Sequence, residues 1–134
     1  MPEVRYLSTI DLIALHAEIM ERTGYSPAPL RSEGGLESAL MRPQMLAHYE
    51  NADLVRQATA LIIGISQAQA FLDGNKRTAF AAGDLFLRAN GLKFKGDPVE
   101  LAQQLEAVAT REDDLGSASA RFEAWLRDHI VPRE

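Results

Sequence analysis

The chain shows almost no strand-like alternation, and its apolar residues recur at three- and four-residue spacing, the period of a helix face. Leu12, Leu15 and Ile19, with Ile13 and Met20 beside them, form the first such stripe, with Ser8 or Thr9 as its cap and Gly24 as its stop. Residues 24–35, which include Pro27, Pro29 and the Gly34-Gly35 pair, read as a loop, and a short helix over 36–41 follows before Pro43. Asn51 is the expected cap of the next helix, whose apolar face runs through Ala58, Leu61, Ile62 and Ile65 to Gln69. The helix expected over 76–90 is apolar around most of its circumference, from Ala79 and Phe80 to Phe86 and Leu87, and so belongs in the middle of the fold. Asp84 and Arg88 mark its solvent side, and Gly91 is its natural C-cap. Asp97-Pro98 opens a helix to about Thr110, and a last helix over 117–129 carries Phe122, Trp125 and Leu126 as core residues before Pro132. A short extended piece over 92–95 does not change the class. The expectation is all-α, a bundle of five to six helices around a central hydrophobic helix, in a single domain over residues 1–134.

Composition narrows the function. Fourteen basic against nineteen acidic residues give a net charge of −5, which argues against an extended footprint on DNA, so any anion site must be local. The absence of cysteine removes disulfides, thiolate metal sites and a cysteine nucleophile, and fits a reducing, cytoplasmic setting. The N-terminal residues carry no signal-peptide pattern, and the apolar run over 58–65 is far shorter than the roughly 18 residues that suggest a membrane span.

The chemistry concentrates in the turn between the two most apolar helices. Gly74 permits a backbone conformation that other residues resist, and the amides of Gly74, Asn75 and Lys76, backed by a helix N-terminus, make an anion cradle. Lys76 and Arg77 add two positive charges, and Asp73 is a hard oxygen ligand of the kind Mg²⁺ accepts alongside substrate phosphates. Read only as turn chemistry, Asp-Gly-Asn followed by solvated cations is an ordinary helix start. Glu33 with Glu37, and the run from Arg111 to Asp114, read as solvated surface.

The letters say more than the generic physics. The stretch Gln69-Ala70-Phe71-Leu72-Asp73-Gly74-Asn75-Lys76-Arg77 closely resembles the Fic/Doc family signature, His-x-Phe-x-[Asp/Glu]-x-Asn-[Lys/Gly]-Arg. Lys76, where AMP-transferring members carry Gly, and Phe80, where they carry a second Arg, place it nearer the death-on-curing (Doc) branch. The helix containing His16, the segment over 30–40 and the segment over 85–91 resemble Doc-type sequences in the same order.

The resemblance implies a toxin of a toxin-antitoxin pair that uses ATP with Mg²⁺ to transfer a phosphoryl group to a hydroxyl of a translation elongation factor, held in check by a small antitoxin. It implies Asp73 as the Mg²⁺ ligand and Gly74, Asn75, Lys76 and Arg77 as the phosphate binders, with Asp73, Lys76 and Arg77 also serving catalysis. Phe71 becomes a core anchor, and Arg31, Gly34 and Gly35 fall in the region that positions a target chain.

One position departs from the pattern. Gln69 stands where the family carries the histidine that takes the proton from the attacking hydroxyl, and an amide cannot accept a proton near neutral pH. The expectation is a chain that keeps its nucleotide site and is weak or inactive in transfer. Gln69 is then a substitution that disarms a toxin, the mark of a degenerate member, or a residue whose work passes to His16, His48 or His129. Two other functions stay open here: a non-catalytic module that binds nucleotide, antitoxin or target protein, and AMP transfer in place of phosphoryl transfer.

Overall fold

A computed structural model describes residues 3–25 and 29–133, so the expected turn residue Pro27 lies outside the described residues. Six helices and a two-stranded antiparallel sheet make up the fold among those residues, and the class is all-α. Helix α1 (Thr9–Arg22) starts where the sequence places it. The Ser8 hydroxyl accepts the Asp11 amide N–H while the Asp11 carboxylate accepts that of Ser8, a reciprocal cap.

Helix α2 (Glu33–Glu50) corrects two expectations. It begins inside the expected loop, because Ser32 caps it by accepting the Gly35 N–H, and it runs straight through Pro43. An interior proline costs about 3 kcal/mol in a helix, but α2 buries Leu36, Ala39 and Leu40 on the same side as Pro43. Each buried leucine is worth about 1.5–3 kcal/mol, so burial of that face outweighs the break. Asn51 is also reassigned: it ends α2 in the left-handed region at φ 53°, and Asp53 caps α3 (Leu54–Ala68) through the Arg56 N–H.

The central helix is α3, not the one that follows it. Val55, Ala58, Leu61, Ile62, Ile63 and Ile65 are buried on several of its faces, because α2, the next helix α4 (Asn75–Ala89) and the last helix α6 (Leu115–Arg127) all pack against it. Helix α4 (Asn75–Ala89) packs on α3 and α1 but leaves Leu85 substantially exposed, and its Asp84–Arg88 pair faces solvent as expected. At the α3–α4 contact a Cβ on Gly83 would stand 2.5 Å from the Ile62 side chain. The missing side chain lets the two helices that carry the candidate site approach closely.

Strand β1 (Leu92–Phe94) bears out the short extended piece, and its partner is β2 (Ile130–Pro132), with Lys93 opposite Val131. The sequence offers no sign of β2, since three residues carry no readable period. Between them lie α5 (Pro98–Ala109), capped by Asp97, and α6 (Leu115–Arg127), capped by Asp114 and so starting two residues earlier than expected. Phe122 is fully buried, and Trp125 packs at the core's edge against Phe94 and His129.

Candidate functional site

The α3–α4 connection is short and internally tied. Helix α3 ends at Gln69, which adopts the left-handed region at φ 50° and ψ 41°, an uncommon choice for glutamine. Three contacts hold it there. Gln69 Nε2 donates to the Ser66 carbonyl at 2.7 Å, the Arg31 guanidinium donates to the Gln69 carbonyl at 2.9 Å, and Asn75 Nδ2 lies 3.5 Å from Gln69 Oε1. Backbone in sparsely populated regions persists where surrounding contacts over-determine it, and such residues gather at functional sites.

Asn75 is the internal tie. Its Oδ1 accepts the Phe71 N–H at 3.1 Å and its Nδ2 donates to the Phe71 carbonyl at 2.8 Å, with the residue itself buried. The side chain therefore closes the loop on itself and leaves only its backbone N–H for an anion. Phe71 is 1% exposed, as expected of an anchor, and residues 29–32 run antiparallel beside the loop, with the Arg31 and Ser32 amides donating to the Ala70 carbonyl.

Helix α4 begins with Gly74 as its cap, in the left-handed region at φ 81° and without a side-chain cap. The Gly74 N–H donates to its neighbour's carboxylate, Asp73 Oδ1, at 2.8 Å, and the Gly74 carbonyl accepts the Thr78 N–H. The amides of Asn75, Lys76 and Arg77 are the first of the helix and have no partner within it, so they form a positively polarised end. Asp73, Lys76 and Arg77 are exposed there, and Lys76 Nζ is ion-paired with Glu106 of α5.

These residues line one open cleft of about 490 Å³, together with Met20 and Tyr25 from the end of α1 and Leu72 from the loop. That volume falls in the range of small-molecule sites. No group of three or more metal-ligating side chains occurs among the described residues, so Asp73 offers one hard oxygen and a bound Mg²⁺ would take the rest from phosphates and water. A single carboxylate beside a helix N-terminus and two cations suits a metal that arrives with a polyphosphate.

Gln69, Asp73, Gly74, Asn75, Lys76 and Arg77, singled out from the sequence, thus meet at the cleft, whereas the target-positioning set divides. Arg31 reaches Gln69, but Gly34 and Gly35 lie in the first turn of α2 and border a separate groove between α2 and α3. None of the three histidines is among the described residues that line the cleft. His48 is exposed near the end of α2, and His129 Nδ1 donates to the Trp125 carbonyl. Met20, Tyr25, Leu72 and Glu106 were not foreseen. Met20 reads as core from its stripe, and Glu106 is thirty residues from the cation it pairs with, so no local pattern could have linked them.

Comparison with known proteins decides the lineage. Residues 6–87, more than half of the chain, match the Fic/DOC family. The chain belongs to the Fic/DOC family. Among its relatives, Toxin Doc of Mycolicibacterium smegmatis is 40% identical over 97 residues, covering 69% of this chain and 75% of that protein. Protein kinase doc of Escherichia phage P1 is 33% identical over 117 residues, covering 87% of this chain and 91% of that protein. The matched region takes in α1, α2, α3, the cleft loop and most of α4, which are the elements that build this Fic/DOC site.

Proposed function

We propose that this chain is a Doc-type phosphotransferase scaffold that binds ATP with Mg²⁺ in the α3–α4 cleft, and that Gln69 leaves it severely attenuated. The observation that carries the reading is the set of helix-start amides at Asn75, Lys76 and Arg77, which have no partner within α4, with the Asp73 carboxylate beside them. The substrate by this reading is a hydroxyl of a translation elongation factor, the setting is the cytoplasm, and a small antitoxin restrains the activity. The names of the two relatives, a toxin and a protein kinase, support the class.

Phosphoryl transfer asks a protein mainly for positioning and charge stabilisation. The Asn75, Lys76 and Arg77 amides hold phosphate oxygens, and Lys76 and Arg77 offset their charge, Lys76 after leaving Glu106. Mg²⁺ held by Asp73 would supply further charge neutralisation on the transferring group. Gln69 stands at the cleft wall with its amide turned to Ser66 and Asn75, and it has no basic lone pair with which to take the proton of an incoming hydroxyl. Loss of a general base costs about 10² to 10⁴ in rate.

The same inward-turned amide favours a second reading, a non-catalytic module that holds nucleotide or protein without chemistry. AMP transfer is the weaker alternative, since Lys76 and Phe80 occupy the positions where AMP-transferring members carry Gly and Arg. Transfer of labelled phosphate from ATP to an elongation factor separates them. Gln69→His raises the rate by about 10² to 10⁴ over the unchanged chain if the phosphotransferase reading holds. A Gln69→His protein that binds nucleotide and transfers nothing is the module, and an adduct with the mass of AMP is the third case.

A further inference from the structure

His16 sits on α1, outside the motif, and is 2% exposed. Its ring lies flat on Phe71, with centroids 3.7 Å apart and planes 6° apart, and its Nε2 is 2.8 Å from the Asp73 carbonyl oxygen. A carbonyl only accepts, so Nε2 carries the hydrogen and donates it. The same edge of the ring stands against Gly74, where a Cβ would come 3.3 Å from Nε2 and 2.8 Å from Met20 Sδ. One buried side chain therefore meets the motif at the Phe71 ring and the Asp73 carbonyl, and borders the space that a Cβ on Gly74 would fill.

The geometry points to His16 as a positioning residue for the metal-binding end of the loop. A trans peptide directs its C=O and N–H to opposite edges. Once His16 holds the Asp73 carbonyl toward α1, the Gly74 N–H must face away from α1, and there it donates to Asp73 Oδ1 at 2.8 Å. The orientation of the Asp73 carboxylate is thus set from the opposite edge of its own peptide. Gly74 at this contact leaves room for the ring to reach the carbonyl. The Nε2–H of His16 is committed to the Asp73 carbonyl and its ring is buried against Phe71, so its work is to fix the loop.

This assignment rests on the reading of the cleft as a Mg²⁺-nucleotide site, and its test has one arm that does not. Glutamine can place an amide N–H where the imidazole has Nε2, whereas asparagine is too short, and both lose the stacked ring. His16→Gln and His16→Asn therefore differ chiefly in the donor to Asp73. In the ligand-free protein, amide hydrogen exchange at Phe71 and Gly74 should be about tenfold faster in His16→Asn than in His16→Gln, the size expected for one hydrogen bond. Calorimetry with Mg²⁺ and ATP should show the same order, with binding about tenfold weaker in His16→Asn and a much smaller difference between the two melting temperatures.

Equal exchange at the loop in the two variants would overturn the assignment, as would losses that merely follow melting temperature. Failure of the unchanged chain to bind Mg²⁺-ATP would instead overturn the cleft reading, and the exchange comparison would still decide what His16 does to the loop.

Discussion

At Gly74 the backbone is left-handed, at φ 81°, and a side chain there would press on Met20 and His16. A left-handed conformation costs an alanine about 1–2 kcal/mol before any clash is counted. Gly74→Ala should therefore lower stability by about that amount in urea unfolding, and it should weaken nucleotide binding by more than the stability loss explains, because the peptide that orients Asp73 is displaced. A variant as stable as the unchanged chain would show that the turn tolerates another conformation. Gln69 poses the complementary case. Histidine is among the residues enriched in the left-handed region, so Gln69→His should leave the melting temperature unchanged or slightly raised while supplying a group able to accept a proton.

Among the elements, α3 and α4 are set by their closest approach. A Cβ at position 83 would stand 2.5 Å from Ile62, and overpacking of that kind costs about 1–3 kcal/mol, against roughly 1 kcal/mol that alanine gains over glycine in a helix. Gly83→Ala should therefore be neutral to destabilising, contrary to helix propensity, and Ile62→Val in the same chain should return part of the loss, as a double-mutant cycle in urea would reveal. The N-terminus of α3 is tied to α6 through Arg127, whose guanidinium bonds both Asp53 oxygens and Glu123. The hydrogen bonds from Arg127 hold the Asp53 carboxyl below its usual value of 3.8, with partial burial opposing. A carboxyl lowered on folding adds stability that is complete above its unfolded value and is lost as pH falls through the folded one. Asp53→Asn keeps the cap and should flatten the melting-temperature profile below about pH 4. At neutral pH the change should stay under about 1 kcal/mol, since the pair is well exposed. A profile as steep as that of the unchanged chain would place the acid sensitivity elsewhere.

Across the whole molecule, local signals gave the elements and long-range packing corrected them. Ser8, Asp97 and Gly91 announce helix ends because caps act within a few residues, and the stripe from Ala58 to Ile65 is legible for the same reason. Pro43 misleads because the burial that overrides it comes from packing against the next helix, α3, and Asn51 misleads because asparagine serves either end of a helix. The central position passes to α3 for a related reason, since periodicity measures how apolar a helix is and not how many neighbours cover it. The cleft residues from Gln69 to Arg77 could be found because they lie in one short stretch, whereas the clasp of Asn75 on Phe71, the Lys76–Glu106 pair and the stacking of His16 depend on tertiary geometry.

None of the described helices is long and apolar enough to cross a membrane, and the net charge is −5, so the proposed hold on a polyphosphate rests on the local cluster at the start of α4. Titration calorimetry of the unchanged chain with Mg²⁺ and ATP, repeated with Asp73→Ala, tests that most directly. The account predicts saturable binding at one site per chain that is lost or greatly weakened in Asp73→Ala and retained in Gln69→His. No saturable binding by the unchanged chain, or equal binding by Asp73→Ala, would contradict it.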